Sequence, residues 1–350
     1  MRAASDTFFR DLLAAAGPAG DERLAARVWR DYAAGFAEVR GDALGSAFAS
    51  VNPAGPRSVV VMGHIDEIGF VVTHIDDEGY LWFAGVGGWT PSVVVAQRIR
   101  ILAKDGPIVG VVGQKAPHLA EPEDKDKQLR LDHLWIDIGA ADGAEARSVV
   151  RTGDLAVVEQ PIVDLRGGRL ASRAVDNRAG AFVAAESARL YAEQPGTWEL
   201  VGVASVSEET SFAGAYTAAF GLDPDAAIVI DVTHTSDQPN VPKRKVGEIA
   251  LGKGPVIERG SGVHPAMFEL IGEVAEQEGI PHQFGASAGS TWTDADAVKL
   301  TRAGIPVGVV SVPNRYMHSP NEIVDLGDLE QTAALVAAVA RRLDAALGLD

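Results

Sequence analysis

Residues 57–66 read Arg-Ser-Val-Val-Val-Met-Gly-His-Ile-Asp, an apolar run that stops on a histidine with an acid two places further on. A short apolar run without alternation is the mark of a strand buried on both faces, as in a parallel sheet covered by helices. The same texture returns three times, always with a polar end. LVGVASVS (200–207) runs into Glu208 and Glu209, AAIVI (226–230) into Asp231, and VGVVSV (307–312) through PNRYM into His318. Helical periodicity predicts helices over 178–191, 212–220, 263–279, 295–302 and 326–347, and two amphipathic stretches, 7–16 and 21–36, precede the first strand. Strands alternating with helices predict an α/β fold, a helix-covered mixed sheet.

Between 67 and 161 the texture changes to short apolar runs separated by Gly and Pro: GFVVTHI, YLWFAG, VVVAQRIRILA, IVGVVG, HLWIDIG and LAVVEQ. No helix-length pattern interrupts them, so this block reads as a small all-β barrel or sandwich inserted into the α/β domain after its first strand. The domains expected are therefore 1–66 plus 162–350, and 67–161. The run EPEDKDK (121–127) reads as a solvated loop tip within the insertion.

Composition narrows the chemistry. A chain of 350 residues, 47% apolar and 23% charged, has the make-up of a globular protein with room for two domains. The 31 basic and 48 acidic residues leave a net charge of −17, which disfavours nucleic acid as a partner. There is no cysteine, so any metal must be held by His, Asp and Glu. No apolar run approaches the roughly 18–20 residues of a membrane span, and residues 1–17 lack the form of a signal peptide. No membrane partner and a cytoplasmic location are expected.

In open α/β sheets ligands gather beyond the carboxyl ends of the strands. His64, Asp66, Glu208, Glu209, Asp231 and His318 all fall there, and Asp176 in SRAVDNRAG precedes a helix, where an acid is also a natural N-cap. Each residue alone has a plain structural reading. Together, two imidazoles and several carboxylates on one edge would repel unless a divalent cation joined them, and that donor set suits zinc, cobalt or manganese. A carboxylate shared by two metals, with a His and an acid on each side, makes a two-metal hydrolytic centre. In an adjacent Glu pair, one residue can ligate while the other takes a proton.

Competing motifs are weaker. Residues 285–289, GASAG, match the G-x-S-x-G elbow around Ser287, with Asp294 and His318 downstream, but no helix is expected directly after the serine. Residues 247–254, GEIALGKG, have Gly254 where a phosphate-binding loop needs Ser or Thr, and read as a turn. H-E-x-x-H is absent. The remaining histidines read as structural, with His234 the least certain of them.

The segments GHIDEIGFVVTHID, GVVGQKAPHL, LWIDIGA, RAVDNRAG, SEE, DVTH and RYMHSPNEIVDL, in order from about residue 60 to 330, resemble the motifs of the metalloaminopeptidases of peptidase family forty-two, the TET-type or glutamyl (deblocking) enzymes. The resemblance implies a hydrolase that removes N-terminal residues from short peptides, with two divalent ions per subunit, zinc or cobalt before manganese. It makes Asp176 the bridging ligand, pairs His64 and Asp231 on one metal and Glu209 and His318 on the other, and puts Glu208 on the general base and Asp66 on the acid that orients His64. It also implies that the inserted β domain dimerises the chain, and that dimers can assemble further into tetrahedral dodecamers. Four residues depart from the usual pattern. Ser211 and Ala213 replace Gly and Arg, and Trp292 in STWTDADAV stands where Gly is usual; Arg173 also replaces Lys. The rival readings are a serine hydrolase using Ser287, a glycoside hydrolase using Glu208 with a second acid, and a non-catalytic assembly protein.

Overall fold

The computed structural model describes residues 1–119 and 128–343, so the expected loop tip at 121–127 lies outside the described residues. An eight-stranded mixed sheet forms the centre. Its spatial order is Glu38–Gly41, Ala47–Val51, Glu199–Ser205, Ser58–His64, Ala226–His234, Val307–Asn314, Val256–Gly260 and Gln283–Ser287. The four strands in the middle of this order, Glu199–Ser205 to Val307–Asn314, are mutually parallel. Their carboxyl ends therefore share one edge.

Alternate residues of the strand Ser58–His64 enter two cores. Val59 and Val61 face the helices Ala3–Ala14, Arg23–Ala33, Val175–Glu193, Pro265–Gln277 and Leu326–Ala340. Val60 and Met62 face the helices Ala213–Leu222 and Ala295–Val298. Burial on both faces is why that strand reads as an unbroken apolar run. The long helix Val175–Glu193 crosses the sheet over its centre, where Gly63 meets Gly180. A Cβ on Gly63 would lie 2.6 Å from the Gly180 carbonyl oxygen, so only glycine lets the start of this helix settle above the strand ends.

Gly69–Ile75, Leu81–Val86, Leu134–Asp137, Gly106–Gln114, Arg98–Ala103 and Leu155–Val158 close a six-stranded antiparallel barrel in that order. Phe70, Leu81, Phe83, Ile99, Ile101 and Ile136 fill it, and Trp89 stacks on Phe70 with ring centroids 4.7 Å apart. The block is not free of helix as expected. Gly143–Val149 is helical, started by Asp142, whose side chain accepts the Glu145 N–H at 2.9 Å. Two turns are too few for a periodic pattern to register. The run 93–103 is also divided, with the short helix Pro91–Val94 ahead of the strand Arg98–Ala103.

Other differences lie at edges. The hairpin Glu38–Gly41/Ala47–Val51 and the parallel pair Val256–Gly260/Gln283–Ser287 were not expected, being short and polar at one end. The helix expected over 295–302 closes at Val298, and the C-terminal helix closes at Ala340, with residues from 344 outside the description. A second small sheet, Val163–Leu165, Arg169–Ser172 and Glu322–Asp325, pairs Ser172 with Glu322 and so brings the chain after His318 to the base of the long helix. Among the described residues no helix is long and apolar enough to cross a membrane.

Candidate metal centre

His64 ends its strand beside Ser205, its register partner, and Val229 pairs with Met62, which sets Asp231 level with His64. The next turns bring in the Glu pair and His318. Asp176 enters from above. Its two oxygens face two different imidazoles: Oδ1 is 3.2 Å from His64 Nε2, and Oδ2 is 3.2 Å from His318 Nε2. Around His64 stand Glu208 at 3.7 Å and Asp231 at 4.0 Å, and Glu209 is 3.4 Å from His318. Three sets of three follow among the described residues, His64–Asp176–Asp231, His64–Glu208–Glu209 and Asp176–Glu209–His318, each with ligand atoms within 4.8 Å of one another. Asp176 belongs to the first and the third.

Asp176 does not cap the helix. It and Asn177 have non-helical backbone angles, and Asn177 does the capping by accepting the Gly180 N–H at 2.7 Å. Asn177 also donates to the Ile230 carbonyl at 2.8 Å, one residue before Asp231. The Asp176 carboxylate is thereby left free for the two imidazoles.

Asp66 lies 3.4 Å from His64 Nδ1, and its oxygens also accept the backbone N–H groups of Glu208 at 3.0 Å and Glu209 at 3.1 Å. It fixes the Glu pair as much as the histidine. Glu322 does the same for two other ligands, accepting the N–H of Asp176 and that of His318, both at 2.8 Å. Glu22 accepts the Ser207 N–H at 3.1 Å, just before Glu208. Buried Glu67 joins Arg173 and Arg178, and those arginines hold the carbonyls of Ala14, Leu12 and Ala15. Arg173, the departure from lysine, thus spans two segments with its fork. From the barrel, Gly88 closes the wall: a Cβ there would lie 3.0 Å from His318 Nδ1.

The backbone around the centre is unusual. Ala174, Ser207, Phe212, Trp292, Tyr316 and His318 all take left-handed φ values between 56° and 62°. Such conformations cost a non-glycine residue roughly 1–2 kcal/mol and cluster where function needs them. Trp292 therefore occupies a glycine-favouring position, and its side chain stands 82% exposed at the mouth of the cavity.

Ser287 joins none of this. It ends the strand Gln283–Ser287 with no helix behind it, and its hydroxyl has no hydrogen-bond partner among the described residues. Asp294 is hydrogen-bonded to Ser205, not to a histidine. The elbow reading fails because the turn that an elbow needs is replaced by an extended edge strand. His234 ends its strand at the cavity wall and belongs to neither metal set that shares Asp176.

The electrostatics fit a divalent cation. Burial first, then Asp231, Asp294 and Glu209, push the Glu208 carboxyl up to about 10 against the pull of His64. Burial and Asp176 raise Glu209, and burial raises Asp231 well above the usual carboxylate range. Burial opposes the charge on His318, but Asp176 and Glu209 outweigh it and push it up to about 11. His64 rises in the same way, through Glu208, Asp176 and Asp66 against burial. Without metal, protons stand in for the missing positive charge. Every one of these shifts means that the folded state holds more protons than the unfolded one, so stability is lost as pH rises. Chelated protein is expected to melt at progressively lower temperature between pH 5 and pH 9, and metal-loaded protein to show little of this slope. Parallel melting curves for the two forms would contradict the exchange of protons for metal.

Glu322→Gln leaves a single acceptor oxygen for two backbone donors. Loss of about 1–3 kcal/mol of stability is expected, with weaker metal retention, read by urea unfolding and metal content. An unchanged unfolding midpoint would show that the two N–H groups find other partners.

Comparison with known proteins bears on the chain as a whole. The family model described as M42 glutamyl aminopeptidase matches residues 45–335. A lysyl aminopeptidase of Pyrococcus furiosus is 36% identical over 308 residues, 87% of each chain. The crystal structure of a TET aminopeptidase from a marine-sediment Thaumarchaeota archaeon superposes with a TM-score of 0.93 at 33% identity over 97% of each chain. The TET1 peptidase of Pyrococcus horikoshii, which can assemble into a tetrahedron or a large octahedral shell, superposes with a TM-score of 0.85 at 28% identity, covering 96% of this chain and 99% of its own.

Proposed function

The chain belongs to the M42 glutamyl aminopeptidase family and is a metal-dependent aminopeptidase, and on that premise we propose that it trims short peptides at a dinuclear centre bridged by Asp176. His64 and Asp231 hold one ion, and Glu209 and His318 the other. The observation that carries this reading is the shared carboxylate, whose two oxygens each face a different histidine at 3.2 Å. Nitrogen and oxygen donors without sulfur suit zinc or cobalt, with manganese next.

Bound there, two divalent ions supply Lewis acidity to the attacking water and to the scissile carbonyl. The chain's own residues do the rest. Glu208 is the base. Asp66 and Glu22 hold its stretch of backbone, so its carboxylate faces the centre without being one of the proposed ligands. It takes the proton of the water as the carbonyl is attacked, and returns it to the leaving amine as the peptide bond breaks. The substrate's free α-amino group finds the acidic cluster, which an acetylated amine, uncharged, would not satisfy. Phe212, Val232, Trp292 and Met317 provide the apolar part of the cavity, about 470 Å³ in volume.

The domain division, 1–66 with 162–350 around an inserted 67–161, belongs to this reading, as do pairing of chains through the barrel, assembly of dimers toward a dodecamer, and a cytoplasmic location. The elbow serine has no hydrogen-bond partner among the described residues, and neither it nor a glycosidase is favoured. The test is hydrolysis of free and N-acetylated aminoacyl anilides after chelation and after return of zinc, cobalt or manganese. Activity confined to free amino termini and restored by metal is expected. Activity that survives chelation would discard the metal centre as catalytic.

A further inference from the structure

A second cavity of about 720 Å³ opens off the metal centre. The two share Val232, Thr233, His234, Thr291, Trp292 and Thr293 as a common wall. In this second chamber stands Glu258, a partly buried carboxylate of the strand Val256–Gly260. Burial raises its pKa, and no hydrogen bond or neighbouring charge offsets that. Among the described residues the fully buried carboxylates outside the proposed metal and base residues all have partners: Glu22, Asp66, Glu67, Glu186, Asp294, Glu322 and Asp328 each accept hydrogen bonds. Glu258 is thus a half-buried carboxylate with no partner among the described residues to balance its charge.

We infer that Glu258 is the counter-charge of the pocket for the substrate's first side chain, and that the enzyme selects peptides beginning with lysine or arginine. The inference rests on the aminopeptidase centre proposed above. The register supports the reach. Asp231 pairs with Ser311 and Ser311 with Val256, and because the strand Val256–Gly260 runs antiparallel to Val307–Asn314, Glu258 lies two residues back from the carboxyl edge, on the floor of the chamber. Two strand spacings and two residues along a strand put the Asp231 and Glu258 backbones about 12 Å apart. An extended lysine side chain of roughly 6 Å, met by the side chain of Glu258, covers that span. Its aliphatic stem would run past Trp292, Phe284 and Val309, and its charge would end at the carboxylate. Gly285 leaves room for the Glu258 carboxylate, since a Cβ there would collide with it.

Lys243, Arg244 and Lys245 also line this cavity, from the short helix Lys243–Val246. All three are exposed, Lys243 is held by Glu248 at 3.1 Å, and no ion pair joins any of them to Glu258 among the described residues. Charges in water are screened, whereas a walled carboxylate acts at lower dielectric, so Glu258 and not the rim sets the choice. An acidic side chain would gain only the exposed rim and would bring its charge toward Glu258.

The test uses the metal-loaded enzyme with lysyl, arginyl, norleucyl and glutamyl p-nitroanilides. Norleucine keeps the stem of lysine without its charge. The lysyl-to-norleucyl ratio of kcat/KM is expected to be about ten to a hundred, to fall close to one in Glu258→Gln, mainly through KM, and to survive in part in Glu258→Asp. Glu258→Lys is expected to move preference toward the glutamyl substrate. Each ratio is taken within one protein, so the folded fraction cancels. A wild-type preference for glutamyl or norleucyl substrates, or an unchanged ratio in Glu258→Gln, overturns the pocket while leaving the aminopeptidase reading intact. Failure to cleave any free-amino substrate overturns both.

Discussion

Glu208→Gln is expected to retain full metal content while kcat falls by about 10²–10⁴, the range that general acid–base catalysis supplies. The amide has the shape of the carboxylate. The backbone around it is held independently of the side chain, with the Glu208 and Glu209 N–H groups on Asp66 and the Ser207 N–H on Glu22. The proposed ligands His64, Asp176, Glu209, Asp231 and His318 are therefore not displaced. What disappears is the site that accepts the proton of the water. In the metal-free cluster, burial and then Asp231, Asp294 and Glu209 keep the Glu208 carboxyl up at about 10. Nearby divalent charge draws it down into the range where a carboxylate can act as base. A purified variant with full metal by atomic absorption and kcat within tenfold of wild type would remove Glu208 from this role.

Asp176→Asn is expected to fail differently, through the metal. The shared carboxylate lies 3.2 Å from each of the two histidines, and burial would raise its pKa were it not held down by His318 and His64. With an amide there, bound metal is expected to fall from two ions per subunit to one or none, and turnover to background. Glu209 and Asp231 then keep their burial without their positive partner. Breaking a buried ionic centre in this way costs about 3–5 kcal/mol, which urea unfolding reads directly. Two ions per subunit in Asp176→Asn would show that the bridge lies elsewhere. The pair of variants separates chemistry from assembly: one keeps metal and loses turnover, the other loses both.

Much of the fold was legible in the chain because its evidence is local. A strand buried on both faces is written as an apolar run, and each central run stops on, or shortly before, a residue with a donor atom: His64, the Glu208–Glu209 pair, Asp231 and His318. Parallel strands put those ends on one edge, so spacing along the chain was enough to bring the residues toward one crevice. The short helix Gly143–Val149 and the edge strands Val256–Gly260 and Gln283–Ser287 escaped because two turns or five residues carry too little pattern.

The sequence by itself thus determined the layered α/β plan, the all-β block between its parts, and the residue types at the strand ends, while closure of that block into a barrel is seen only in the tertiary structure. Tertiary structure decided which acids are turned toward which histidines. Asp176 alone reads as a helix cap, and only the fold shows Asn177 taking that duty. Glu322 reaches Asp176 across 146 residues, Glu22 reaches Ser207 across 185, and Arg178 reaches Leu12 across 166. The chamber around Glu258 exists only because the strands Val256–Gly260 and Gln283–Ser287 are added beside Val307–Asn314. Hydrogen bonds between distant segments leave no period in the chain, and a left-handed backbone at Trp292 or His318 leaves no trace in composition. Apolar periodicity is a property of neighbours in sequence, whereas a metal centre and its supporting hydrogen bonds are properties of neighbours in space.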